Sequence, residues 1–91
     1  MSNIVETLEQ RGQNYGDYGN MAYVAQKIKD VLRDGGAWLR VNPAQRESLD
    51  LMATKMARIV CGDPNLPDHW HDIGGYAKLA EDRCPPRPAT P

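Results

Sequence analysis

The sequence contains no phenylalanine, and it has few aromatic residues of any kind. Two tryptophans and four tyrosines therefore supply all of the aromatic bulk for a core. A chain of 91 residues has room for one domain and buries only roughly 60% of the surface that its unfolded form exposes. Because so short a chain gains stability by pairing with a copy of itself, we expect a homodimer or a higher homo-oligomer.

The sequence also lacks an excess of charge of either sign. Lys and Arg number 11 against 12 Asp and Glu, which removes the electrostatic argument for nonspecific nucleic-acid binding. No apolar run approaches the roughly 20 residues of a membrane span, and no basic-then-apolar leader is present. We therefore expect no membrane partner and a cytoplasmic location.

Cysteine is scarce, and Cys61 and Cys84 lack the CxxC spacing of a zinc or redox motif. A reducing cytoplasm would keep both as thiols. Cys61 continues an apolar helical stripe, which predicts a small buried residue, whereas Cys84 opens a tail rich in proline. The sequence therefore predicts a helical domain over residues 1–83 and a flexible, disordered tail over residues 84–91.

Apolar residues recur at helical spacing in four segments, and no alternating strand pattern is found. Capping residues, proline and glycine set the expected ends of these helices, with a turn-rich loop over residues 13–20. The predicted helices run from Ser2 to about Gly12, from Met21 to about Arg33, from Asn42 to Gly62 and from Asp68 to about Arg83. This pattern predicts an all-α fold, a compact bundle of about four helices with a proline-rich tail.

The third and fourth predicted helices carry the clearest apolar stripes. On the third, the expected buried residues are Leu49, Met52, Ala53, Met56, Ile59 and Val60. On the fourth, they are Trp70, Ile73, Tyr76, Ala77 and Ala80. His69 and His71 lie on different faces and make no zinc pair, so we expect surface histidines. Gly74-Gly75 costs roughly 1 kcal/mol per residue relative to alanine, which predicts close approach by another helix or a ligand.

Acidic residues on these two helices are the first candidates for chemistry. Glu47 and Asp50 are three residues apart, and Asp68 and Asp72 are four apart, so each pair shares one side of its helix. Mg²⁺ takes oxygen ligands from carboxylates, waters and substrate phosphates, and it activates water for attack on a polyphosphate. Glu47, Asp50 and Asp72 are therefore candidate catalytic residues, and these three with Asp68 are candidate Mg²⁺ ligands.

Cationic and aromatic residues are candidates for binding a nucleotide substrate. Lys55 and Arg58 follow the acids of the third helix, where they can face phosphates. Tyr15, Trp70 and Tyr76 are candidates for contact with a base or sugar.

A purely structural interpretation of the acids is also open. Glu47 and Asp50 lie opposite the apolar stripe, where a solvated helix face is expected. Asp68 can simply cap the fourth helix. Asp72 differs from them, because it lies at the margin of the buried stripe, where a carboxylate needs a partner.

Three stretches of the sequence together resemble a known group of proteins. They are Arg11-Gly12 with Tyr15-Gly16-Asp17, then Arg46-Glu47 and Leu49-Asp50 with Lys55-Met56-Ala57-Arg58-Ile59, and finally Asp68 with Trp70-His71-Asp72-Ile73-Gly74-Gly75-Tyr76-Ala77. The combination resembles small phage and prophage proteins that look like reduced relatives of the all-α, MazG-type NTP pyrophosphohydrolases, including nucleotide-modification-associated phage domains. The resemblance covers nearly the whole chain except the tail.

The resemblance implies a dimeric or tetrameric helical bundle in which acids hold Mg²⁺ and cleave a nucleoside triphosphate to the monophosphate and pyrophosphate. By position, Glu47 and Asp50 match the acidic pair of one helix, Asp72 the acid of the next, and Lys55 a phosphate contact. The EExxE run typical of that family is missing here. The expected function is therefore either this hydrolysis or, as the alternative, non-catalytic binding of a nucleotide signal or a host protein, in the host cytoplasm if the chain is phage-encoded.

Overall fold

The computed structural model describes residues 3–87, without the side chains of residues 10–15. All regular structure in this part of the chain is helical, and no strand occurs in it. The α-helices are α1 (Ile4–Tyr15), α2 (Tyr18–Arg33), α3 (Pro43–Cys61) and α4 (Pro67–Glu81), and a 3₁₀ turn spans Trp38–Arg40. The predicted all-α bundle is thus confirmed.

Helix α3 lies at the centre of the bundle, because it packs against both α2 and α4. Small side chains permit this double packing, since Ala53 and Ala57 of α3 are fully buried. Met21 and Ala25 of α2 form one buried cluster with Ala57. Alanine leaves the backbones close together, so a core with little aromatic bulk is still filled.

The predicted apolar face of α3 is only partly right. Ala53 and Ile59 are buried, but Met56 is 40% exposed and Val60 is 71% exposed. The reason is that α3 has neighbours on two sides, so its buried residues, Ser48 among them, do not follow a single apolar stripe.

Helix α4 has Ile73, Tyr76 and Ala80 half-buried on the predicted side, but its buried stripe begins at His69 rather than at Trp70. His69, expected at the surface, is 1% exposed, whereas Trp70, expected in the core, is 58% exposed and Ala77 is also exposed. Adjacent residues lie about 100° apart around a helix, so His69 and Trp70 cannot both face the core, and His69 is the one aligned with Ile73 and Tyr76. The Trp70 indole Nε1 instead donates a hydrogen bond of 2.9 Å to the carbonyl oxygen of Pro64.

The start of α3 is confirmed in detail. The Asn42 side chain accepts a hydrogen bond of 2.9 Å from the backbone N–H of Gln45. The Gln45 side chain in turn accepts one of 2.9 Å from the backbone N–H of Asn42. Together they form a capping box, with Pro43 at the first helical position, where a missing N–H is harmless.

The predicted loop over residues 13–20 is wrong, because α1 continues past Gly12 to Tyr15 and α2 begins at Tyr18. The Asp17 side chain accepts a hydrogen bond of 2.9 Å from the backbone N–H of Asn20 and caps α2. An N-cap with the correct geometry therefore outweighs the turn preference of the glycine and asparagine in the first turn.

The ends of the other helices also differ slightly from prediction. The predicted cap Ser2 lies outside the described residues, and the Asn3 side chain accepts a hydrogen bond of 2.8 Å from the backbone N–H of Glu6. Helix α4 begins at Pro67, so Asp68 lies in its first turn rather than at the cap.

Helix α4 ends at Glu81 rather than near Arg83. Residues 85–87 of the predicted tail are exposed and form neither helix nor strand, and residues 88–91 lie outside the described part. Among the described helices, none combines the length and the apolar character needed to cross a membrane.

Gly16 fixes the end of α1 against the end of α3. Its φ of +84° lies in the left-handed region that favours glycine. A Cβ at this position would overlap the backbone carbonyl of Cys61. The contact therefore requires glycine for both its conformation and its lack of a side chain.

We expect Gly16→Ala to lower the free energy of unfolding by roughly 2 kcal/mol or more, because the new methyl group meets both backbone strain and a backbone clash. Gly36→Ala is the matched control, since no described atom lies within 4 Å of the position that its new Cβ would take and its φ is ordinary. Urea unfolding followed by circular dichroism measures both, and equal effects would contradict the account of Gly16.

Candidate functional site

The predicted acids of α3 and α4 face different neighbours. Oδ2 of Asp50 lies 3.1 Å from Nη2 of Arg33, on α2. Oδ2 of Asp72 lies 2.9 Å from Nζ of Lys55, on α3. The two carboxylates thus belong to two separate helix interfaces.

The two remaining acids stay at the surface, since Glu47 and Asp68 are both exposed. Across residues 3–87, no group of three Asp, Glu, His or Cys side chains is placed to hold a metal ion. The described part of one chain therefore does not bring the predicted acids together.

Asp50 belongs to a cluster that ties the 3₁₀ turn to the helices. Its partner Arg33 also donates a hydrogen bond of 2.9 Å to the carbonyl oxygen of Lys29. The guanidinium groups of Arg33 and Arg46 lie 5.2 Å and 5.3 Å from the centre of the Trp38 ring, within cation–π distance. These contacts give Asp50 a structural role at the α2–α3 interface.

Asp72 and Lys55 form the second group, at the interface of α3 and α4. The Lys55 side chain is 17% exposed and that of Asp72 is 40% exposed, so water reaches the pair mainly on the α4 side. The hydrogen bond from Lys55 and its positive charge hold the pKa of Asp72 below the ordinary value. This carboxylate therefore stays ionised and orients the lysine. Arg58 follows one turn later on α3 and is half-buried.

His69 is the residue of this interface that sequence reasoning missed. Burial lowers the pKa of its imidazole from the ordinary 6.5, and the nearby charges of Lys55 and Arg58 lower it further. The ring is therefore neutral at pH 7. The missed signal is its spacing, because His69, Ile73, Tyr76 and the alanine at position 80 recur at helical intervals once the histidine is counted with the apolar residues.

A shallow depression of about 170 Å³ lies beside Asp72 on α4. Tyr76 and Gly75 line it together with Asp72. Apart from the adjacent residues and the nearby backbone of α4 itself, no described atom lies within 4 Å of the position that a Cβ would take on Gly74 or Gly75. Packing among the described residues therefore does not require either glycine, and the depression has bare helix backbone as part of its wall.

The three aromatic candidates lie in different places. Tyr76 is half-buried and shares the depression with Asp72. The Trp70 indole is bound to the loop before α4, with its ring more than half exposed. The side chain of Tyr15 lies outside the described part. Of the two described rings, Tyr76 is therefore the one that shares a surface with the Lys55–Asp72 pair.

Comparison of the chain with protein-family models, with curated proteins and with solved structures gives no match. The geometry of the α3–α4 interface is therefore the basis on which a function can be argued.

The buried imidazole predicts a loss of stability in mild acid. A folded-state pKa lowered below 6.5 means that the unfolded chain binds a proton at His69 first. The stabilising contribution is present above about pH 6.5 and is lost as the pH falls through the lower folded-state pKa. The loss of stability that His69 causes therefore begins at a higher pH than the protonation of Asp72, because the pKa of that carboxyl is lowered from 3.8.

We expect the melting temperature of the wild type to fall more steeply than that of His69→Gln between about pH 7.5 and about pH 5. His71→Gln is the control, because His71 is exposed on the same helix. Differential scanning fluorimetry measures the slopes, and parallel slopes for wild type and His69→Gln would show that this imidazole does not govern acid sensitivity.

Proposed function

We propose that this protein binds a nucleoside phosphate on the α3–α4 surface, with the phosphates at Lys55 and Arg58 and the nucleoside at Tyr76. The observation that carries the proposal is the position of Lys55. It is largely buried between two helices and is held by Asp72 at the edge of an open depression. A cation oriented in this way is suited to an anionic ligand.

The cations of this interface are the groups suited to a phosphate. Lys55 and Arg58 contribute two positive charges, and the neutral His69 adds none. Of the two nearby carboxylates, Asp72 pairs with Lys55 and Asp68 is exposed. A compact ammonium group and a forked guanidinium group one turn apart can contact different phosphate oxygens. Because Asp72 is partly hydrated, giving up its contact with Lys55 to a phosphate costs little.

The glycine pair supports a ligand at the same place. Two glycines inside a helix cost roughly 1 kcal/mol each relative to alanine, and no described side chain uses the space they leave. Bare backbone beside Tyr76 permits close approach of a flat base or a sugar. The presence of residues that lower stability is typical of a surface that serves binding.

The second candidate is the Mg²⁺-dependent NTP pyrophosphohydrolase that the resemblance implies. The observation in its favour is Asp72, an ionised carboxylate on the same surface as the phosphate-binding cations. Mg²⁺ is commonly held by one or two carboxylates together with substrate phosphates and waters, so it does not need a cluster of three acids. In this version Asp72 binds the metal, with Asp68 from the same helix as a further ligand.

We expect Lys55→Met to raise the dissociation constant of a nucleotide at least about tenfold, because a charge-assisted contact with phosphate contributes about 1.5–3 kcal/mol. Lys78→Met is the matched control, since Lys78 also forms ion pairs, with Glu81 and Asp82, but at the exposed end of α4. Isothermal titration calorimetry with each dNTP measures the affinities. Equal effects of the two substitutions, or no binding of any nucleotide, would contradict the proposal.

A pyrophosphate assay with the same proteins and Mg²⁺ distinguishes binding from hydrolysis. Release of pyrophosphate that is lost in Asp72→Ala identifies the hydrolase. Binding that depends on Lys55 without any release identifies the non-catalytic nucleotide binder. If neither activity is found, the alternative of a host-protein partner takes precedence.

We expect Gly75→Ala to stabilise the fold by up to about 1 kcal/mol and at the same time to weaken nucleotide binding. Apart from its own stretch of helix, the added methyl group meets no described atom, so in the proposed complex it would occupy space that the nucleoside approaches. Gly36→Ala, outside the helices, should leave nucleotide affinity unchanged. Unchanged affinity in Gly75→Ala would show that the ligand does not approach this backbone.

A further inference from the structure

The first turns of α1 leave an apolar face uncovered. Ile4, Val5 and Leu8 are 74%, 59% and 59% exposed, and their spacing places them on one side of the helix. An isolated helix of 12 residues is only marginally stable in water, so most of its stability must come from burial of an apolar face. Within the described part of one chain, that face of α1 is not buried.

The shape of the molecule agrees with an extended α1. Its extents are 60 × 25 × 23 Å, and its radius of gyration is 16.3 Å, whereas about 12 Å is expected of a compact chain of this length. Helix α1 is fixed at its C-terminal end by the contact of Gly16 with Cys61. Its N-terminal turns therefore lie away from the body formed by α2, α3 and α4.

The opposite end of the α3–α4 pair has an apolar groove of about 380 Å³. Leu49 and Met52 of α3 line it together with Ala77 and Ala80 of α4, and Val41 also contributes to the lining. This groove is separate from the depression at Gly75, from which it differs in every lining residue. One chain therefore leaves open both an apolar helix face and an apolar groove between two helices.

We propose that the N-terminal turns of α1 dock in the α3–α4 groove of a second copy of the chain, and that the exchange is reciprocal. Both halves of the contact are present on one chain, so two copies related by a twofold axis satisfy both at once and close the assembly. The chain exposes 7000 Å², against about 5,300 Å² for a compact monomer of this mass. The excess, to which the exposed residues 82–87 also contribute, is larger than the roughly 800 Å² that each partner buries in a standard interface.

The test is the oligomeric state in sedimentation velocity at protein concentrations of tens of micromolar. We expect a wild-type dimer, with a dissociation constant that Leu8→Glu and Ala77→Arg each raise at least about tenfold, because each places a charge in an apolar contact. Both side chains are exposed in the single chain, so neither change disturbs its core. Val31→Glu is the control, since Val31 is 69% exposed on α2.

Mixing the two variants distinguishes the groove from a simple pairing of α1 helices. In a reciprocal exchange, a heterodimer of Leu8→Glu with Ala77→Arg keeps one native contact and brings the two opposite charges together in the other. We therefore expect dimers to reappear in the mixture. A monomeric wild type, an equal effect of Val31→Glu, or a mixture that stays monomeric would each overturn the proposal.

Discussion

The close packing of α3 between two other helices is the constraint on which the rest of the structure depends. Ala53 and Ala57 have no exposed surface, and any larger side chain at either position would push a neighbouring helix away. Because α3 has two partners, Asp50 and Lys55 form ion pairs with different helices. Asp50 is directed to α2 and Lys55 to α4, so their chemistry is separated by the width of one helix.

This separation gives the two helix interfaces different characters. At the α2–α3 interface, Asp50 pairs with Arg33, and the Arg33 guanidinium lies over the Trp38 ring of the connection between the helices. At the α3–α4 interface, the Lys55–Asp72 pair lies next to unused space and bare backbone. The first arrangement links two helices and the turn between them, whereas the second borders an open depression, which is the basis of the binding proposal.

The sequence was a good guide where the structure depends on local chemistry. Asn42 and Pro43 predicted the start of α3 because capping and proline geometry act within a few residues. The burial of His69 was harder to predict, because its spacing with Ile73 and Tyr76 indicates burial only if the histidine, and not the adjacent Trp70, is counted with the apolar residues. The position of the core face is set by tertiary packing on α3, which no local pattern of α4 contains.

In the candidate site, too, local features were predictable from the sequence and contacts between helices were not. The role of Lys55 and Arg58 as phosphate contacts stays a prediction, whereas the margin position of Asp72 predicted a need for a partner, and Lys55 is that partner. That its partner would be Lys55, and that Asp50 would pair with α2 instead, depends on which way α3 is rotated between its neighbours. The sequence shows which residues share a side of α3. It does not show how the helix is rotated between its two neighbours.

The contact at Gly16 also bears on how the chain can be re-engineered. The connection between α1 and α2 is two residues long and is pressed against the carbonyl of Cys61, so lengthening it would detach α1 from the body. The turn at Gly35-Gly36 is exposed. A Cβ on Gly36 would have no described atom within 4 Å apart from the adjacent residues. An affinity tag, or a loop that carries a fluorophore, inserted at this turn would leave all four helices in place.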